Sequence, residues 1–182
     1  MKEKIKELWT FIWRVISLHT IAYFIAGIFA LFFLDYTRQF STGILAILMK
    51  PTDSVAVALG PGLQIIRGVI LAVVLYPFRD KFLSVKKGWL KLAVLIFGLS
   101  YLLTIGPVAG SFEGYIYTNF DVQTHLLGIP ESLLYTFIFS SLLFLWYKKP
   151  KKVWNVLSII SVILILLMSF AGVLSSLGLL SA

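Results

Sequence analysis

Five runs of this sequence are apolar for long enough to cross a lipid bilayer, and no other feature constrains the fold as strongly. They cover about residues 8–34, 61–78, 89–107, 130–147 and 153–180. A hydrocarbon core of about 30 Å takes roughly 17–25 helical residues. Backbone N–H and C=O groups at that depth have no water to bond, and a helix satisfies them within the segment. With 59% of its 182 residues hydrophobic and 13% charged, a soluble domain of this size has too little interior to hide its apolar surface. The expected fold class is all-α: a polytopic integral membrane helix bundle of about five transmembrane helices, forming a single domain over residues 1–182. The first run is too long for a cleavable signal peptide, and it ends in "FFLDYTRQF" with no small-residue cleavage site.

The basic residues orient this bundle. Of the 16 Lys and Arg, all but Arg38, Lys50 and Arg67 fall in three groups. One precedes or opens the first run (Lys2, Lys4, Lys6, Arg14), and one lies between or beside the second and third (Arg79, Lys81, Lys86, Lys87, Lys91). The third is the "KKPKK" turn at 148–152. Five crossings put all three on one side, which the positive-inside rule makes cytoplasmic. The expected location is the cell membrane, with the N-terminus in the cytosol and the C-terminus outside. The net charge of +8 then reads as a topology signal whose partners are lipid headgroups, and nucleic acid is not an expected partner.

Residues 41–60, "STGILAILMKPTDSVAVALG", are rejected as a sixth crossing, since they would bury Lys50, Pro51 and Asp53 and move a basic cluster outside. They are expected to form an interfacial or re-entrant element on the outer face. The second outer connection, 108–129, contains Phe112, Tyr115, Tyr117, Phe120 and His125, with Glu113 and Asp121. This mixture without low-complexity bias predicts an ordered loop packed on the bundle.

Within the second run, "GPGLQIIRG" (60–68) carries Gln64 and Arg67. If Pro61 opens this helix, Arg67 lies roughly 9 Å below its start. Gln64, Arg67 and Gly68 are then expected to share one face. The leading reading pairs Arg67 with Glu113, Asp121 or Glu131. The second has it bind a ligand anion, helped by helix N-termini at Pro61 and Pro130, and the third has it snorkel to the interface. Glu131 is also favourable in a first helical turn whatever its function.

His19, in the cytoplasmic half of the first run, continues along one face through Tyr23, Ala26 and Ala30. It is expected to make an interhelical hydrogen bond, with a proton relay or ligand contact as the alternative. His125 is expected to be a solvent-exposed loop residue, with a general base beside Glu113 or Asp121 as the alternative. Stripes of small and hydroxyl residues (Ser132, Thr136 and Ser140; Ser158, Ser169, Gly172 and Ser176) predict close helix packing. The absence of cysteine removes disulfides and thiolate sites. No metal site or cofactor is expected, and no phosphate-loop, zinc-protease or serine-hydrolase motif occurs.

The leading functional expectation is binding or transport of an anionic or amphipathic small molecule, or a lipid, at an outward-facing polar site. Its candidate residues are Arg67, Gln64, Glu113, Tyr115, Asp121, His125 and Glu131, with His19 and Tyr23 as an intramembrane polar contact. The alternatives are a membrane-embedded enzyme built on His125, Glu113 and Asp121, and a non-catalytic assembly subunit with a membrane-protein partner. An enzyme is the less favoured reading.

Overall fold

The computed structural model describes residues 2–180, and among these the regular structure is entirely helical. Helix α1 (Lys2–Phe33) ends where Asp35 enters the left-handed region at φ 50°. Aspartate tolerates that conformation better than most side chains, and it breaks the helix cleanly. The short helices α2 (Tyr36–Gln39) and α3 (Leu45–Leu48) follow, then a turn in which the Ser54 N–H donates to the Pro51 carbonyl, and then α4 (Val55–Leu75). A 3-10 turn over Tyr76–Phe78 leads into α5 (Arg79–Leu83). After a left-handed Lys87, α6 (Gly88–Phe97) runs into a π-helical turn at Gly98–Leu102. The connecting loop holds α7 (Phe112–Tyr117) and α8 (Val122–Leu127), and α9 (Ile129–Lys148) and α10 (Lys152–Ser176) complete the bundle.

Among the described residues, four helical stretches are long and apolar enough to cross a membrane: Lys2–Phe33, Val55–Leu83, Val122–Lys148 and Lys152–Ser176. The run expected at 89–107 is a shorter apolar helix, Gly88–Leu102. At about 1.5 Å per residue it rises roughly 22 Å, against a core of about 30 Å. The outward surface is what lipid requires: along α10, Ile160, Ile163, Leu167 and Phe170 are all exposed. Water would not tolerate that face on a stable monomer, whereas acyl chains solvate it. The chain is a membrane-embedded protein.

The second run begins earlier than its proline suggests. Helix α4 starts at Val55, with Ser54 as its extended N-cap, and Pro61 lies inside it. A proline removes one N–H, a loss that neighbouring helices offset in lipid. Residues 41–60 are therefore not one outer element. Their first part forms α3, and their last part is the opening of α4.

Helix α1 sits at the centre, packed against α4, α9 and α10, while α10 also covers α4 and α6 lies on α9. Its buried stripe (Phe11, Val15, Leu18, Ala22, Ala26, Ala30) narrows to alanine toward the far end. Opposite it, a Cβ on Gly68 of α4 would come within 2.9 Å of the Ile16 Cα. Only glycine allows that approach, the small-residue packing common between helices in lipid. Helices α4 and α10 meet similarly, where the Ser169 hydroxyl donates to the Ala58 carbonyl at 2.6 Å.

Contacts at the two ends show how the chain runs. At the basic end Arg79 pairs with Glu7 at 3.0 Å, and the Lys148 ammonium donates to the Ser84 carbonyl at 3.0 Å. At the opposite end the Tyr36 hydroxyl reaches Glu131 at 2.6 Å, and the Ser176 hydroxyl donates to the Asp53 carbonyl at 2.7 Å. Tyr101, at the end of the short α6 segment, donates to the His125 carbonyl at 3.2 Å.

Candidate functional site

Polar side chains gather between α1, α4 and α9 in two tiers. In the lower tier, His19 is buried and has a partner on each ring nitrogen. Nε2 lies 3.1 Å from Gln64 Oε1, and Nδ1 lies 2.6 Å from the Tyr135 hydroxyl. The Gln64 amide nitrogen donates to the Gly60 carbonyl at 3.2 Å, which fixes its oxygen as the acceptor from His19. The ring then carries its proton on Nε2, and Nδ1 accepts from Tyr135. Three helices are pinned by one neutral imidazole with no donor left over.

The upper tier is the Tyr36–Glu131 pair. The Tyr36 hydroxyl donates to Glu131 Oε2 at 2.6 Å, tying the α2–α3 segment to the first turn of α9. Burial, and then the Glu131 charge, raise the Tyr36 phenol above its ordinary value. Its proton stays in place as a donor.

Two cavities meet at Glu131 and Tyr23, which line both. The larger, about 600 Å³, opens between α1, the α2–α3 segment and α4. Its walls include Phe24, Leu31, Phe40, Leu45 and Val57, and Gly27 leaves open space where another side chain would project. The smaller, about 180 Å³, brings Arg67 together with Glu131, Ser132, Tyr101 and Tyr135. The arrangement is an apolar slot beside a smaller cavity, and the smaller one has Arg67 and Glu131 in its lining.

Several expectations need correction here. Gln64 and Gly68 do share the buried stripe of α4, but Arg67 stands at its exposed edge, facing the smaller cavity. One helical step of about 100° separates Arg67 from Gly68, enough to turn it off the α1 interface. Arg67 forms no ion pair with Glu113, Asp121 or Glu131; among the described residues, Arg79–Glu7 is the only ion pair. With α4 starting at Val55, no helix begins at Pro61, so the pair of helix N-termini expected to flank Arg67 is not formed.

His125 is buried and not solvent-exposed. Its Nδ1 accepts from the Gly110 N–H at 3.1 Å, and its ring stacks on Tyr115 at 3.8 Å, with Phe120 edge-on. Asp121 caps α8 through the Thr124 N–H at 2.8 Å, and the Thr124 side chain, then its N–H, hold the Asp121 carboxyl below the usual range. Neither Asp121 nor Glu113 hydrogen-bonds His125, so the acid–base group required by the enzyme reading is not assembled. Asp121 lines a separate surface groove with Gln39 and Asn119, while Glu113, Tyr115 and His125 line none of these cavities. His125 is the hub of the loop fold.

The sequence reading missed Tyr36, Tyr101, Tyr135 and Gly27. Tyr135 had a signal, since it lies one helical turn beyond Glu131. Tyr36 and Gly27 had none, because their roles depend on how α1 and α2 turn toward α9. Among the described residues no group of three or more His, Asp or Glu could hold a metal ion. No family model, curated protein or solved structure matches this chain.

Proposed function

We propose that this protein binds an amphipathic small molecule or lipid in the cleft formed by α1, α2–α3, α4 and α9, on the outer side of a cell membrane. In this reading the basic end is cytosolic, the N-terminus lies with it, and five crossings, including the short Gly88–Leu102 helix, leave the C-terminus outside. The three lysine- and arginine-rich groups support that orientation through the positive-inside rule.

One observation carries the binding assignment: an apolar cleft of about 600 Å³ shares Tyr23 and Glu131 with a smaller cavity lined by Arg67. Ligand sites are typically concave and mostly apolar, about 300–1,000 Å³, with a few convergent polar groups. An ionisable residue within a membrane span is by default a candidate functional residue, and Arg67 faces the smaller cavity with no ion-pair partner among the described residues.

The test fills the slot. Gly27 and Gly60 both line the larger cavity, and a Cβ on either would meet nothing within 4 Å. Gly27→Trp and Gly60→Trp should each lower the amphiphile that co-purifies with the protein, measured by native mass spectrometry, by about tenfold while the unfolding midpoint holds. Unchanged occupancy in both variants would refute the assignment.

A further inference from the structure

Arg67 and Glu131 face one cavity of about 180 Å³ but do not pair with each other. Glu131 offers one oxygen to Tyr36, and no protein donor bonds the other. Arg67 has five N–H donors and no ion-pair partner among the described residues. Arg67 lies at the exposed edge of α4 and Glu131 is half-buried, and a ligand that satisfies only one of two opposite charges leaves the other facing it. A simple anion on Arg67 would face the Glu131 carboxylate. A simple cation on Glu131 would face the guanidinium.

From this we infer that the ligand head is zwitterionic: a phosphate diester held by Arg67 and a primary ammonium held by Glu131, with one acyl chain reaching into the 600 Å³ slot. This inference rests on the cleft being the binding site and names its ligand class, an aminophospholipid of the phosphatidylethanolamine type. Arg67 suits the phosphate because its planar fork matches two phosphate oxygens at once. Glu131 accepts a second donor while retaining the Tyr36 bond. The smaller cavity has room for about six water volumes of roughly 30 Å³ each, enough for a head group and too little for a chain. Glu131 and Tyr23 line both cavities, so one molecule can touch both groups and reach from one space to the other.

The test uses the full chain, delipidated in detergent and offered three lipids with identical acyl chains: phosphatidylethanolamine, its N-acetylated derivative and phosphatidylglycerol. Occupancy is read by native mass spectrometry. The wild type should retain phosphatidylethanolamine about tenfold over either of the others. Glu131→Gln, which can still accept from Tyr36, should erase the preference over the N-acetylated lipid. Arg67→Gln should lower all three. Equimolar glycerophosphoethanolamine, which has the head without chains, should displace nothing; displacement by it would assign the site to a soluble head group. Equal or better retention of phosphatidylglycerol by the wild type, with Gly27→Trp still reducing all lipids, would overturn the zwitterion while leaving the cleft in place. No retention of any lipid, or retention indifferent to Gly27→Trp, would overturn the cleft assignment itself.

Discussion

The Tyr36 hydroxyl donates to Glu131 Oε2 at 2.6 Å, joining residues 95 positions apart in the chain. This bond holds the α2–α3 segment over the mouth of the cleft. Tyr36→Phe keeps the ring that packs on Phe40 and removes only the donor. It should lower stability by about 1 kcal/mol, the scale of one such bond at a half-buried site. Hydrogen exchange across residues 36–48 should rise more than across α9. The pH dependence has a definite sign. Because the folded-state phenol is raised, its contribution is fully present below the unfolded value near 10 and is lost as pH climbs through the folded one. In an alkaline titration followed by ultraviolet absorbance, the wild type minus Tyr36→Phe difference should show one tyrosine ionising later than the rest.

His19 has no spare bonding capacity, so replacing it strands both neighbours. His19→Leu leaves Gln64 Oε1 and the Tyr135 hydroxyl without their partner. A destabilisation of about 1–3 kcal/mol is expected, from unsatisfied buried groups. Adding Gln64→Leu and Tyr135→Phe to that variant should recover part of it, because the stranded groups are then gone. Thermal unfolding of the single and triple variants checks this; a triple variant weaker than the single would contradict it.

Gly68 sets the distance between α1 and α4. A Cβ there meets the Ile16 Cα at 2.9 Å, and main chain cannot step aside as a flexible side chain can. Gly68→Val should cost about 1–3 kcal/mol through overpacking. It should also weaken the His19–Gln64 bond, visible as a shifted His19 imidazole resonance. Gly98→Val, at a position with nothing within 4 Å, is the comparison that should leave that resonance in place.

The absence of native cysteine makes topology straightforward to map. Single substitutions Lys149→Cys, Tyr117→Cys and Leu179→Cys place thiols at the basic turn, in the α7 loop and near the C-terminus. In right-side-out vesicles an impermeant maleimide should label Tyr117→Cys and Leu179→Cys, and should reach Lys149→Cys only after permeabilisation. Labelling of Lys149→Cys in sealed vesicles would reverse the orientation.

The long apolar helices were legible because bilayer solvation acts on composition over whole segments, and α1, α9 and α10 fall close to their expected ranges. The start of α4 was not. Pro61 is favourable in a first turn, yet packing on α1 and α10 extends the helix through it. The caps of α7 at Ser111 and α8 at Asp121 went unread, although serine and aspartate are ordinary N-cap residues. The burial of His125 was not legible, since it comes from Gly110, Tyr115 and Phe120 closing on the ring. For the same reason Glu131 was identifiable as a candidate, whereas its partner Tyr36 required the turn at Asp35 to be seen.

The most direct measurement is photo-crosslinking with a phosphatidylethanolamine carrying a diazirine in its acyl chain, followed by peptide mapping. The account predicts adducts concentrated on residues 24–31 and 45–49, competed by unlabelled phosphatidylethanolamine and lost in Gly27→Trp. Adducts spread over the lipid-facing surface of α10, around Ile160, Ile163 and Leu167, with none in the cleft, would contradict it.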